Sequence, residues 1–83
     1  MEIRYKASVV KDLKKLNLET KNRILSKIAL DLAQDSDQGQ ELKGKFRGLL
    51  KYRVGNYRVI YTKIPEGVLI LRIAHRKWVY KGT

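Results

Sequence analysis

The stretch from Leu49 to Ile64 constrains the fold more than any other part of this chain. Leu50, Tyr52 and Val54 alternate with Lys51 and Arg53, the period-two pattern of a strand with one apolar and one charged side. Gly55-Asn56 follows, a two-residue signal for a tight hairpin, since both residue types tolerate positive φ. Tyr57 to Ile64 then supplies the β-branched and aromatic residues of a returning strand. A lone hairpin is marginal in water, so this one needs further strands and a cover for its apolar side.

The rest of the chain offers both. Ile3 and Tyr5 alternate with Glu2, Arg4 and Lys6, a short first strand. Val68 to His75 reads as a last strand after the turn Pro65-Glu66-Gly67. Ser8 is placed to cap a helix running through Lys15, with Val9, Val10, Leu13 and Leu16 at helical spacing. Asn17 to Thr20 reads as a turn. A second helix is expected from about Lys21 to Ala33, with Ile24, Leu25, Ile28, Ala29 and Leu32 in one stripe. Gln34 to Gln40 is a polar loop and the candidate hinge, and Glu41 to Gly48 an irregular basic connection. The expected architecture is α+β in the order β-α-α-β-β-β. Two N-terminal helices pack on one face of a curved, mostly antiparallel sheet, and residues 1–83 form a single domain.

A domain of 83 residues buries only roughly 60% of its unfolded-chain surface, and with no cysteine it has no disulfide to brace it. One His cannot anchor a common all-protein zinc site, and no cofactor is implied. No run of about 18 apolar residues is present, so no membrane partner is expected. The opening Met1-Glu2-Ile3-Arg4-Tyr5 leaves no room for a leader, and the expected location is cytoplasmic.

Charge narrows the function. The net charge is +11, and it is uneven: residues 1–40 carry +2 and residues 41–83 carry +9. Such a field favours a polyanion. Parity then sorts the cations. If Leu50, Tyr52 and Val54 face the helices, Lys51 and Arg53 project from the far side. A tight hairpin brings Arg58 near Arg53. Arg72, Ala74 and Arg76 share a parity in the last strand. Lys51, Arg53, Arg58 and Arg76 are therefore expected around one anion pocket, with arginine suited to phosphate by its planar fork. Lys43, Lys45, Arg47 and Lys77 extend the basic surface. Tyr57, Tyr61, Trp78 and Tyr80 lie among the basic residues as candidates for stacking on unpaired bases, each with sheet or chain-end packing as its plainer role. His75 is a candidate RNA contact or a structural histidine. There is no phosphate-binding GxxxxGK[ST] loop, no Ser/His/Asp set and no carboxylate pair.

These residues have a familiar order. Leu42-Lys43-Gly44, then Leu50-Lys51-Tyr52-Arg53-Val54-Gly55-Asn56-Tyr57-Arg58-Val59-Ile60-Tyr61, resembles the central hairpin of the RelE/ParE toxin superfamily. Ile73-Ala74-His75-Arg76-Lys77-Trp78-Val79-Tyr80 is similar to the tail of its RelE branch. The resemblance implies a toxin of a type II toxin–antitoxin system that cleaves messenger RNA in the ribosomal aminoacyl site and so inhibits translation. It implies Lys51, Arg53, Arg58, Arg76 and Tyr80 as catalytic residues, and an acidic, RelB-like antitoxin as partner beside mRNA and the ribosome. Some relatives carry Lys at both positions of the strand pair, whereas this chain has Arg53, and arginine does not give up its proton near neutral pH. Lys51, His75 and Tyr80 remain as candidate general bases. Two other readings stand beside this one: a ParE-like toxin that poisons gyrase, and a non-catalytic RNA-binding module.

Overall fold

The structure, a computed structural model, describes residues 1–75. The chain runs β1 (Glu2–Tyr5), α1 (Ala7–Lys14), α2 (Leu18–Lys27), β2 (Gln40–Glu41), β3 (Leu50–Val54), β4 (Tyr57–Ile64) and β5 (Gly67–His75). The five strands form one sheet in the order β1-β5-β4-β3-β2. All neighbours are antiparallel except β1 and β5, which run parallel in the register Glu2 to Gly67 through Tyr5 to Ile70. A Cβ at Gly67 would collide with the Glu2 carbonyl oxygen, so glycine is what lets β1 close on β5. No helix among the described residues is long and apolar enough to cross a membrane.

The expected α+β fold, two helices against a mostly antiparallel sheet, is the observed one. Its details differ in four places. Lys6, not Ser8, occupies the N-cap of α1; the Ser8 hydroxyl instead donates to the Leu71 carbonyl at 3.4 Å. Val9 and Leu13 are buried and Leu16 packs against the core, but Val10 is exposed, because the α1 stripe is too narrow to hold both valines. Asn17 begins α2 rather than a turn: its side chain accepts from the Thr20 amide at 2.8 Å, meeting one of the orphan donors of the first turn. The span read as loop and basic connection also holds a short strand, β2, and a 3₁₀ turn at Gly44–Phe46.

The core lies between helices and sheet, with Val9, Ile24, Ile28, Leu32, Val59, Tyr61, Val68 and Ile70 wholly buried. Each such side chain contributes about 1.5–3 kcal/mol by leaving water. After Lys27 the α2 helix widens into a π-turn at Ile28–Leu32. Ile24, Ile28 and Leu32 are spaced by four, and an α-helix would carry that row gradually around its axis. The wider turn takes more residues per revolution and cancels the drift, so Leu32 stays in the core and Ala29 is left exposed.

Two tyrosines fasten the following segment to the sheet. The Tyr52 hydroxyl donates to the Asp31 carboxylate on the π-turn. The Tyr61 hydroxyl donates to the Ser36 carbonyl at 2.7 Å and accepts from the Gly39 amide at 2.9 Å. Lys63 pairs with Asp37. The segment expected as a hinge is therefore tied down at Asp31, Ser36, Asp37 and Gly39.

Candidate functional site

The hairpin sets the site's geometry. Leu50, Tyr52 and Val54 are buried, so strand geometry turns Lys51 and Arg53 to the face away from the helices. Gly55 takes φ +58° in the two-residue turn and returns the chain with no slack. The register then places Arg53 directly opposite Arg58, and Lys51 opposite Ile60. Lys51, Arg53 and Arg58 thus lie together on one face of two paired strands. Like charges directly opposite each other destabilise a sheet, so this arrangement costs stability that an anion can return.

The three cations differ in environment. Arg53 is exposed, Lys51 half-buried, and Arg58 only 6% exposed, the one charged residue buried among the described residues. A guanidinium so far withdrawn from water acts through a less screened field than a surface one. No carboxylate pairs with Arg53 among the described residues. Four of the eight acidic residues are engaged elsewhere: Glu2 and Glu66 by Arg4, Asp31 by Lys27, and Asp37 by Lys63.

Other candidates fall apart from this cluster. Lys43, Lys45 and Arg47 are exposed on the connection between β2 and β3, where Lys45 lies over the Phe46 ring at 5.4 Å. Lys43 and Arg47 line a shallow groove with Glu41, Leu42 and Gly44. His75 pairs with Tyr57 in the ladder, and their rings meet edge to face at 5.4 Å and 81°. Tyr57 packs against the core, so His75 stands at the helix side of the β5 end, away from the cationic face. Arg76, Lys77, Trp78 and Tyr80 lie outside the described residues.

Tyr61 is corrected as a stacking candidate, while Tyr57 packs against the core and also lines a groove. Tyr61 is wholly buried, and both have the parity of Val59, which is core. Burial raises the Tyr61 phenol above its ordinary value; Asp37 and Asp35 add to this, while the Gly39 N–H and Lys63 oppose it. The phenol is a neutral anchor for the loop. Lys63, bonded to Asp37, is likewise raised.

Arg72, noted in the sequence for sharing the parity of Arg76 but not counted in the pocket, reaches this face by an irregularity the sequence does not show. In the β4–β5 ladder, Ile60 pairs with Arg72 but the next residue, Tyr61, pairs with Ile70. Leu71 is therefore an extra residue, a β-bulge. Val68, Ile70, Arg72 and Ala74 share a parity in sequence, and a regular strand would send Arg72 to the core beside Ile70. The bulge reverses the alternation: Val68 and Ile70 are buried before it and Ile73 after it, so Arg72 turns out to the face of Arg58 and is exposed.

The comparisons agree with this architecture. A family model described as "ParE toxin of type II toxin-antitoxin system, parDE" matches residues 3–80. Toxin RelE3 of Methanocaldococcus jannaschii is 31% identical over 86 residues, covering 96% of each chain. Among solved structures, the toxin–antitoxin complex RelBE2 from Mycobacterium tuberculosis has a chain matched at TM-score 0.82 and 28% identity, over 89% of this chain and 95% of that one. A chain of the RelB–RelE complex from Methanococcus jannaschii matches at TM-score 0.66 and 26% identity, over 94% and 95%. The isolated Escherichia coli RelE toxin, at 20% identity and TM-score 0.70 over 95% of this chain and 89% of that one, shares the fold. With this fold, this hairpin and these relatives, the chain belongs to the RelE/ParE superfamily of type II toxin–antitoxin toxins and is of the RelE type.

Proposed function

We propose that this toxin is an endoribonuclease that cleaves messenger RNA in the ribosomal aminoacyl site. The observation that carries the reading is the set of three cations, Lys51, Arg53 and Arg58, on one face of a register-locked hairpin. Cations held by paired strands are pre-positioned for charge that builds up on a phosphate.

The RNA 2′-oxygen attacks the adjacent phosphorus and the bond from phosphorus to the 5′-oxygen breaks. The products are a 2′,3′-cyclic phosphate and a 5′-hydroxyl. Arg58, with Arg76, holds the phosphate. Lys51 in its neutral amine form takes the 2′-OH proton, or as a cation neutralises the site. Tyr80 stacks on a base or delivers the proton to the leaving oxygen. Arg53 stays charged and contributes its field. General acid–base assistance supplies about 10²–10⁴ in rate, and the ribosome supplies positioning by holding the message in line. An acidic antitoxin is the partner proposed to shield the face, because the M. tuberculosis and M. jannaschii relatives were solved as complexes with antitoxins.

The test is single-turnover cleavage on ribosomes programmed with a defined message. Unmodified message should yield the cyclic phosphate, and message with a 2′-O-methyl group at the cut site should stay intact. Cutting of the blocked message removes the proposed nucleophile. A second reading, a ParE-like gyrase poison, is favoured by the description of the matching family model. Inhibition of purified gyrase without any cleavage on ribosomes would establish it instead.

A further inference from the structure

The Leu71 bulge, the brace that holds it and the groove beside it point to one role for Arg72. Bulges recur next to functional sites because one extra residue re-aims the side chains that follow. Here its effect is to move a single arginine from the apolar side of β5 to the cationic side. By register Arg72 sits beside Ile60, and the neighbouring pair on that face is Arg58 with Ala74. No carboxylate pairs with Arg72 among the described residues.

The bulge is held from its open edge. β1 pairs only as far as Ile70, and its ladder ends where the Lys6 amide donates to the Ile70 carbonyl at 3.0 Å. Beyond that point α1 takes over. The Ser8 hydroxyl donates to the Leu71 carbonyl, and the Asp12 carboxylate accepts from the Ile73 amide at 3.1 Å. Arg72 therefore projects from a fixed stretch of backbone.

Where β1 stops, a groove opens around the β5 edge. It has a volume of about 490 Å³ and is lined by Asp12, Lys15, Leu16, Tyr57, Arg72 and His75, among others. That lies within the roughly 300–1,000 Å³ of small-ligand sites. It offers ring surfaces from Tyr57 and His75 and cations from Lys15 and Arg72, the combination that suits a nucleotide. Arg72 belongs both to this groove and to the cationic face.

We propose that Arg72 is an RNA-positioning residue: together with Lys15 it binds the phosphate next to the one cleaved and leads that nucleotide off the sheet into the groove between α1 and β5. This rests on the ribonuclease reading above and adds a second phosphate subsite to it.

The test uses a single-stranded RNA made uncleavable by a 2′-O-methyl group, and reads affinity against salt. Each phosphate contact to a single strand contributes about 0.7 to the slope of log K against log salt. Arg72→Ala should lower the slope by about that amount, and adding Lys15→Ala should lower it further. Lys14→Ala, an exposed charge loss on α1 outside the groove, should leave it nearly unchanged. RNA carrying one uncharged methylphosphonate beside the cut site should bind wild-type protein more weakly, yet cost Arg72→Ala nothing more, since the contact is already gone. Wild-type binding with an unaltered slope and methylphosphonate profile in Arg72→Ala overturns the subsite alone. Loss of antitoxin affinity with RNA binding intact assigns Arg72 to the partner and also overturns it. A wild-type protein with no salt-dependent affinity for the free strand overturns the subsite, while the ribonuclease reading stands or falls on cleavage by programmed ribosomes.

Discussion

On the helix side of the sheet, Val59, Tyr61, Val68 and Ile70 are wholly buried, and every strand but β2 contributes to one close-packed core. On the other side the same strands set Arg53 opposite Arg58, with Lys51 and Arg72 nearby. One side is apolar and packed; the other gathers cations. The contrast teaches that one sheet carries two different kinds of side, a close-packed apolar one and one where two arginines face each other across the ladder.

Four substitutions test this contrast, taken from the largest expected effect. On the packed side, Ile28→Ala should cost about 2–5 kcal/mol in urea unfolding, because a wholly buried side chain leaves a cavity. In a chain this size, that lowers the melting temperature by about 4–8 °C per kcal/mol. A loss well under 1 kcal/mol would mean that the helix side is not what holds the fold. On the charged side, Arg58→Ala should slow cleavage on ribosomes about 10²–10³-fold while circular dichroism stays native. A wild-type rate would remove Arg58 from the chemistry.

Tyr61→Phe tests the loop anchor. It leaves the Ser36 carbonyl and the Gly39 amide without their phenol and should cost about 1–3 kcal/mol. The phenol also predicts an alkaline limit. Its pKa is raised on folding above 10.0, so the folded state holds that proton more tightly than the unfolded state. The resulting stabilisation is present below pH 10.0 and is lost as pH rises above it. Unfolding followed from pH 8 to 11 should show a steeper alkaline loss in wild type than in Tyr61→Phe, and equal slopes would deny the effect. The smallest change is expected from Arg53→Gln, which removes one of two facing charges. It should raise stability by about 0.2–1 kcal/mol, more at low salt than at high, as read from melting temperatures at two ionic strengths. Destabilisation would show that Arg53 is a structural residue.

The hairpin was legible because two independent signals agreed: strict alternation around Lys51 and Arg53, and a Gly-Asn pair that fits only a tight turn. Burial of Leu50, Tyr52 and Val54 and the facing of Arg53 with Arg58 followed directly. The start of α2 was also written in the sequence, as Asn17 followed by Glu19 in the first turn, but a short polar stretch between two apolar stripes looks the same whether it caps or turns. The two-residue β2 is too short to show any period. The bulge was hidden for a stronger reason. Val68, Ile70, Arg72 and Ala74 alternate without a break, and nothing about Leu71 marks it as surplus; its status is fixed by partners far away in the chain, Tyr61 and Ile60 across the ladder and Ser8 and Asp12 on α1.

The pairing of β1 with β5 has a consequence for timing. The ribosome delivers Glu2–Tyr5 some sixty residues before Gly67–Ile70, their only strand neighbour among the described residues. A segment that must wait so long for its mate closes late, and folding dominated by such distant pairings is slow. Arg72 follows that mate by two residues. A nascent chain interrupted before this point has neither the closing strand nor the arginine beyond it.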